Sequence, residues 1–305
     1  MTSGSRASDG AGGAQASTDI DDALLRGWPL PVPEEGSKDE RGSVFVVAGA
    51  PQMPGAAVLA ATAALRAGAG KLQIGTVASV AAHVAIAVPE ALVVALDEAP
   101  SGAISLAAVA KIVERANRAD AVVIGPGLVD EFASSALIAA ITATLEKPAV
   151  IDAAALACFA DHPGAIARLD GRAVLTPHAG EMAAMLDRPR EEIEADQARF
   201  AREAAERFGA VVALKGAQTF VAQPDGTMYR NARGHVGLAT SGSGDVLAGI
   251  IGGLLARGAE PVQAAVWGVY LHARAGQVLG ERIGIGFLAR EIPAEMPGLM
   301  RGLND

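Results

Sequence analysis

The sequence predicts an α/β fold with a mainly parallel central sheet and helices on both faces. From residue 43 onward, short and almost uninterrupted apolar segments alternate with longer segments rich in alanine. Apolar residues make up 51% of the 305 residues but aromatic residues only 4%, so aliphatic side chains must form the core. Strands that are buried on both faces have continuous apolar sequences, and their alternation with helices is typical of parallel sheets.

The individual elements follow in chain order from these two patterns. Residues 1–18 have almost nothing to bury and are predicted to form a disordered N-terminal tail, which leaves 19–305 as a single domain. We expect strands at 43–48, 71–76, 91–96, 121–125, 149–152, 173–176 and 211–215, and a hairpin formed by 219–222 and 227–230. We expect helices at 54–68, 104–118, 131–145, 178–186, 190–208, 243–257 and 261–279.

Charge and composition exclude several classes of protein. The net charge is −9 and no basic stripe is visible, so nucleic acid is not an expected partner. The single cysteine, Cys158, excludes an internal disulfide and is expected to be a core thiol. The N-terminus lacks the pattern of a signal peptide, and the longest apolar run, 246–256, is too short to span a bilayer. We therefore expect a soluble cytoplasmic protein that does not bind membranes.

The most informative segment is a glycine-rich turn, Ser241 to Gly244, which is followed at once by Asp245 and an apolar helix. Glycines leave backbone N–H groups uncovered, and the N-terminus of a helix carries partial positive charge. Together they form an anion site suited to phosphate. A carboxylate beside such a site is unfavourable unless it has a chemical role. We therefore expect Asp245 to take a proton from a group that is being phosphorylated.

Other turns at strand ends are expected to meet at the same edge of the sheet, where ligands bind in open α/β folds. They lie at 49–57, 125–128, 176–181 and 215–219. His178 either contacts a ligand or caps its helix locally. Lys215 follows a buried strand beside a glycine, and it either binds phosphate or is a solvated lysine.

Six segments occur in one order along the chain: GAPQMPGAA, GPGL, VIDAAAL, LTPHAGE, LKGAQT and GLATSGSGDVLAGIIGGLLARG. This set resembles the ADP-dependent NAD(P)H-hydrate dehydratases, a family within the ribokinase-like fold, over roughly residues 38–300. GSGDVLAGII alone indicates only the ribokinase-like superfamily. TPHAGE, KGAQT and the MPGAA loop narrow the resemblance to the dehydratases, and to the stand-alone form without a fused epimerase domain.

The resemblance implies a repair reaction in which the S epimer of hydrated NADH or NADPH is dehydrated to the reduced dinucleotide. ADP is the expected co-substrate, AMP and phosphate are the expected products, and Mg²⁺ is the expected ion, although no metal ligands are assigned. A separate epimerase that acts on the same substrate and assembly into a homotetramer are also implied. Ala-rich helical faces such as 55–67 are expected to pack against another subunit.

The resemblance also assigns roles to single residues. Asp245 is the catalytic base and also contacts the substrate. The residues implied at the substrate are Ala56, Gly127, His178 and Asp245, and those implied at the nucleotide are Lys215, Gly216, Ala217, Gln218, Thr219 and Gly244. The chemistry of the glycine-rich turn adds Ser243 to the nucleotide site, because its amide is expected to hold the developing charge.

Two other functions fit the glycine-rich turn. One is an ATP-dependent small-molecule kinase of the ribokinase-like superfamily, such as a thiamin-precursor kinase, which product analysis would distinguish. The other is a non-catalytic nucleotide sensor. A protein that only binds nucleotide gains nothing from a carboxylate that faces phosphate, so the role of Asp245 separates the sensor from the enzymes.

Overall fold

The computed structural model describes residues 17–32 and 40–304. The strands in these ranges are β1 (Thr18–Asp19), β2 (Ser43–Val47), β3 (Lys71–Val77), β4 (Leu92–Leu96), β5 (Ala121–Ile124), β6 (Ala149–Ile151), β7 (Ala173–Leu175), β8 (Val211–Leu214), β9 (Thr219–Ala222) and β10 (Met228–Asn231). They form one sheet in the order β1-β10-β9-β8-β7-β6-β5-β2-β3-β4.

The sheet is parallel from β8 to β4, whereas β9 and β10 form an antiparallel hairpin at the other side. The central strands β5, β6, β7 and β8 are buried along their whole length, as expected for strands covered on both faces. Because β2 to β8 are parallel, the turns that follow them emerge at one edge. The predicted mainly parallel sheet and the predicted hairpin are confirmed.

Helices cover both faces of the sheet. They are α1 (Asp22–Arg26), α2 (Pro54–Arg66), α3 (Ala78–Ala87), α4 (Val109–Ala116), α5 (Glu131–Thr142), α6 (Cys158–Asp161), α7 (Ala179–Leu186), α8 (Arg190–Ala195), α9 (Gln197–Phe208), α10 (Ser243–Ala256), α11 (Pro261–Ile283) and α12 (Ile292–Asn304). One hydrophobic cluster joins α2, α10, α11 and α12 to the sheet, and a second joins α4, α5, α7 and α9 to it. Cys158 lies buried in the second cluster, as predicted.

Helices α2 and α10 pack at very short range. A Cβ atom added at Gly249 would overlap the carbonyl oxygen of Ala60, and one added at Gly253 would overlap that of Ala64. The alanines of α2 are therefore buried within the chain against α10, and this face is not the surface for another subunit that the sequence predicted. A subunit contact through the other residues of 55–67 stays a prediction. The close contact instead fixes the position of α10, whose first residues form part of the site.

Several predicted elements differ from the structure. The helix expected at 190–208 is broken at Asp196, whose side chain accepts a hydrogen bond from Arg199 N and caps α9. Helices α1, α3, α6 and α12 were not predicted. The predicted tail ends too late, because Thr18 already pairs with Tyr229 in the sheet, and residues 1–16 lie outside the described residues. In the described ranges, no helix combines the length and the apolar character that a membrane span requires.

Candidate active site

A pocket of about 510 Å³ opens at the carboxyl edge of the sheet. The turns after β2, β5 and β7 and the start of α10 all contribute to its wall. Four residues that the sequence placed at the substrate line it together, namely Ala56, Gly127, His178 and Asp245. Its other lining residues are Met53, Leu128, Glu131, Ala153, Ala154, Leu156, Ala157, Gly180, Glu181 and Ala184.

The start of α10 is not capped by any side chain. Gly242 precedes the helix with a φ of 87°, a left-handed conformation that favours glycine. Ser243 N donates a weak hydrogen bond to Thr240 O at 3.3 Å, whereas the N–H groups of Gly244 and Asp245 have no acceptor among the described residues. A Cβ atom on Gly244 would lie 3.4 Å from Lys215 Nζ, so the glycine keeps the space between these amides and the ammonium open. Unused amides at a helix N-terminus form an anion site.

Asp245 is the third residue of α10, and within the described ranges its carboxylate caps no amide and forms no ion pair. Burial raises its pKa to about 6, and the negative charge of Asp152 adds to this effect. The positive charge of Lys215 opposes the rise, and Glu181 contributes to it. A carboxylate with a pKa near neutrality, no structural partner and a place in a pocket wall is suited to act as a general base.

Lys215 follows β8 and is only partly exposed, with its ammonium among carboxylates. Its Nζ atom lies 2.8 Å from Asp152 Oδ1 and 3.8 Å from Glu181 Oε2. Burial lowers its pKa, but the carboxylates of Asp152 and Glu181 outweigh burial and leave the pKa above its usual value. Lys215 is therefore a paired cation beside Gly244 and not the solvated lysine of the alternative interpretation.

Two side chains cap the N-terminus of α7. Glu181 N donates to His178 Nδ1 at 3.0 Å, and His178 N donates to Glu181 Oε2 at 2.7 Å, which forms a capping box. The side chain of His178 is 59% exposed, and it also lines the pocket. His178 therefore caps its helix, as one of the two interpretations of the sequence predicted, and its contact with a ligand stays a prediction that its place in the pocket wall allows.

The segment after Lys215 lies outside the pocket wall. Gly216, Ala217 and Gln218 are exposed, and Thr219 begins β9. A Cβ atom on Gly216 would lie 2.5 Å from Gln197 Nε2, so a side chain at that position would have to displace Gln197. Ser243 and Gly244 do not line the pocket either, although Asp245 beside them does. The residues expected at the nucleotide are therefore not among those that line this pocket.

The sequence did not identify three further residues of the site. Asp152 Oδ1 accepts hydrogen bonds from Thr176 Oγ1 at 2.7 Å and from Lys215 Nζ at 2.8 Å. His272 Nε2 lies 3.0 Å from Ser243 Oγ, and burial lowers the pKa of this histidine to about 4. Asp152 and Thr176 end predicted strands, which was a usable signal. His272 lies within the long helix α11 and carries no such signal.

Comparison with known proteins identifies the family. The sequence profile of the NAD(P)H-hydrate dehydratases matches residues 44–297. The chain belongs to the NAD(P)H-hydrate dehydratase family. It is 48% identical over 280 residues to the ADP-dependent (S)-NAD(P)H-hydrate dehydratase of Xanthomonas campestris, and the match covers 91% of this chain and 94% of that enzyme.

Two further relatives place this dehydratase within its family. The bifunctional NAD(P)H-hydrate repair enzyme of Moorella thermoacetica is 39% identical, and the match covers 88% of this chain but 51% of that enzyme. The crystal structure of the ADP/ATP-dependent NAD(P)H-hydrate dehydratase of Bacillus subtilis, co-crystallised with ATP and Mg²⁺, superposes with a TM-score of 0.82 at 29% identity, covering 95% of this chain and 100% of that one. The ribokinase-like fold implied by the sequence motifs is confirmed by the structure of a ribokinase-like superfamily protein of Enterococcus faecalis. That structure superposes with a TM-score of 0.81 at 24% identity, covering 94% of this chain and 96% of that one.

Proposed function

We propose that this chain catalyses the ADP-dependent dehydration of the S epimer of hydrated NADH or NADPH, which restores the reduced dinucleotide and releases AMP and phosphate. The observation that carries the proposal is the position of Asp245. Asp245 lines the pocket, while its backbone N–H belongs to the uncapped start of α10. A base for the substrate hydroxyl and an anion site for the phosphoryl group thus meet at one residue.

The chemistry needs a better leaving group than hydroxide. Asp245 takes the proton of the substrate hydroxyl as the oxygen attacks the β-phosphorus of ADP, and AMP leaves. The N–H groups of Gly244 and Asp245, together with the Lys215 ammonium, bind the phosphoryl oxygens and stabilise their charge. The ring nitrogen then expels phosphate from its neighbouring carbon, and the released phosphate takes a proton from the next carbon to form the double bond.

A divalent ion belongs to the proposal only as an ion that the nucleotide carries. Among the described residues, no group of three or more His, Cys, Asp or Glu side chains is placed to hold a metal ion. The Bacillus relative was crystallised with ATP and Mg²⁺. We propose that Mg²⁺ reaches this site on the nucleotide, where it would neutralise phosphate charge, and no step above depends on it.

The supply of substrate and the assembly state complete the proposal. A hydrate that forms without an enzyme contains both epimers, so an S-specific dehydratase needs a separate epimerase to use all of it. We propose that the chain acts in the cytoplasm as a tetramer. The buried face of α2 does not supply the subunit contact, so light scattering at working concentration is the appropriate test.

One assay separates the dehydratase from the alternatives. Purified protein is incubated with S-epimer hydrate of NADH and either ADP or ATP, while the absorbance of the reduced nicotinamide and the nucleotide products are followed. We expect the absorbance to return with ADP and one AMP to form per turnover. A kinase would instead accumulate a phosphorylated product, and a sensor would bind ADP without turnover. Either result would reject the proposal.

A further inference from the structure

Asp152 is a buried carboxylate that is not among the residues lining the pocket, although the segment that follows it is. It is 1% exposed, and it follows β6 directly. One of its oxygens accepts hydrogen bonds from both the Thr176 hydroxyl and the Lys215 ammonium. A carboxylate so buried is costly to keep charged unless it is paired, and breaking such a pair is strongly unfavourable. Asp152 and Lys215 therefore hold each other in one arrangement.

The ion pair with Asp152 determines which of the neighbouring carboxylates Lys215 contacts. The ammonium has three carboxylates around it, those of Asp152, Glu181 and Asp245. It lies 2.8 Å from Asp152 and 3.8 Å from Glu181, whereas Asp245 forms no ion pair with any described residue. Were the ammonium to pair with Asp245 instead, it would stabilise the ionised carboxylate and make it a weaker base.

We propose that Asp152 is a positioning residue, which holds the Lys215 ammonium beside Gly244 and away from Asp245, so that Asp245 stays free to take the substrate proton. The proposal rests on the proposed function only for the identity of that proton. The same contact keeps Lys215 next to the unused amides at the start of α10. A Cβ atom added at Gly244 would lie only 3.4 Å from the Lys215 ammonium. One buried carboxylate thus serves both the phosphate site and the base.

The charged groups that shift the pKa of Asp245 act in opposite directions. Asp152 and Glu181 raise its pKa by their negative charge, and Lys215 lowers it. His272 lies on α11, with its Nε2 atom 3.1 Å from Ser243 O. Its pKa of about 4 keeps it neutral near pH 7. Removal of the Asp152 charge would take away one raising effect and release the ammonium, so both consequences lower the pKa of Asp245.

The test follows the ionisation of Asp245 directly, without activity. Protein labelled with ¹³C at aspartate carboxyls is titrated by NMR, and the Asp245 signal is assigned from its absence in Asp245→Asn. We expect the wild-type midpoint at about 6 and the midpoint in Asp152→Asn at least about one unit lower. Thr176→Val is the matched control, since it removes the second hydrogen bond to the same oxygen but keeps the charge. Its midpoint should stay within about 0.3 units of the wild type.

A double-mutant cycle supplies the second readout. With hydrate and ADP, Asp152→Asn should lower kcat about tenfold in the wild-type background. In the Lys215→Gln background it should add almost nothing, because Asp152 then has no ammonium to hold. An unshifted Asp245 midpoint in Asp152→Asn, or additive losses in the cycle, would overturn the inference. Should Asp152→Asn fail to fold, the double variant Asp152→Asn/Lys215→Gln, which removes both buried charges, is compared with Lys215→Gln. Equal kcat values would support the inference, and a further loss of kcat in the double variant would overturn it.

The two proposals fail in different ways. A wild-type protein that forms no reduced dinucleotide from hydrate and ADP contradicts the proposed function, but the NMR titration still decides the role of Asp152. An active wild type whose Asp245 midpoint ignores Asp152 contradicts only the inference.

Discussion

Helices α7 and α10 both begin at the carboxyl edge of the sheet, and both have an acid as their third residue, yet they use it in opposite ways. In α7, Glu181 reaches back to His178 N at 2.7 Å, and His178 caps Glu181 N in return. In α10, Gly242 supplies no cap, and the Asp245 side chain caps nothing. In a capped helix start, side chains accept hydrogen bonds from the first amides. In an uncapped start these amides remain available to bind a ligand.

The difference teaches that an acid near a helix N-terminus is not informative by itself. Acids are favoured in the first turn of any helix because of the helix dipole. Glycine at the N-cap is what distinguishes α10, since it removes the side chain that would otherwise satisfy the amides. The predictions below use the two helix starts as matched pairs, from the largest expected effect to the smallest.

Replacing the third residue should separate the two helices most strongly. We predict that Asp245→Asn folds, binds ADP and loses about 10²- to 10⁴-fold in kcat, because an amide cannot take the substrate proton. Glu181→Gln should lose less than about tenfold, since Gln also completes a capping box. Steady-state kinetics and calorimetric ADP binding check both variants. An Asp245→Asn variant with more than a tenth of the wild-type kcat would show that the proton goes elsewhere.

Replacing the second residue should affect nucleotide binding at one helix alone. In Gly244→Ala the new methyl group lies 3.4 Å from Lys215 Nζ, in the space proposed for phosphate. We predict that the Kd for ADP rises about tenfold, in line with the partial loss of charge-assisted hydrogen bonds. Gly180→Ala places its methyl 3.0 Å from the His178 ring, away from that space, and should leave the Kd unchanged. Equal effects of the two substitutions would count against a phosphate site at α10.

The pH dependence should report the free carboxylate of α10. Asp245 must be ionised to accept a proton, and its pKa is raised to about 6 by burial and by Asp152. We predict that kcat/KM falls about tenfold for each pH unit below this value and levels off above it. Rates measured between pH 4.5 and 8 define the acidic limb of the pH–rate profile. A profile that stays flat to pH 4.5 would mean that the acting base has an ordinary carboxylate pKa.

Stability should change in the opposite sense to activity. Because the folded-state pKa of Asp245 lies above its unfolded value of 3.8, the folded state binds the extra proton between these values, and stability falls as pH rises through them. Asp245→Asn removes this penalty. We predict a Tm a few degrees above the wild type at pH 8 and no difference at pH 3.5, where both residues are neutral. A lower Tm at pH 8 would indicate that the carboxylate has a structural partner.

Much of the fold could be predicted from the sequence, because buried parallel strands are continuous apolar runs whose ends fall at small or polar residues. The predicted strand at 121–125 differs from β5 by one residue, for example. Helix α3 was missed because its sequence, ASVAAHVAIA, is apolar on the outer face as well and shows no helical periodicity. The break at Asp196 was missed because the helical pattern of apolar residues continues across it. Its role as a cap depends on a change of chain direction that the pattern does not show.

The site could be predicted only as far as its backbone. The glycine turns and the position of Asp245 follow from local sequence. The pairing of Asp152 with Lys215 joins residues 63 positions apart, and it depends on strand order, which sequence spacing does not determine. For the same reason, the alanines of α2 suggested a subunit contact, although they pack within the same chain against α10.

Amide hydrogen exchange with and without ADP tests the central claim most directly, since it needs no substitution and reads both helix starts in one sample. Peptides that cover 242–246 and 178–182 are compared at several exchange times. The account predicts that ADP slows exchange at Gly244 and Asp245, whose N–H groups have no acceptor in the described part of the chain, and leaves the capped start of α7 unchanged. Protection at His178 to Glu181, with none at Gly244 and Asp245, would contradict it.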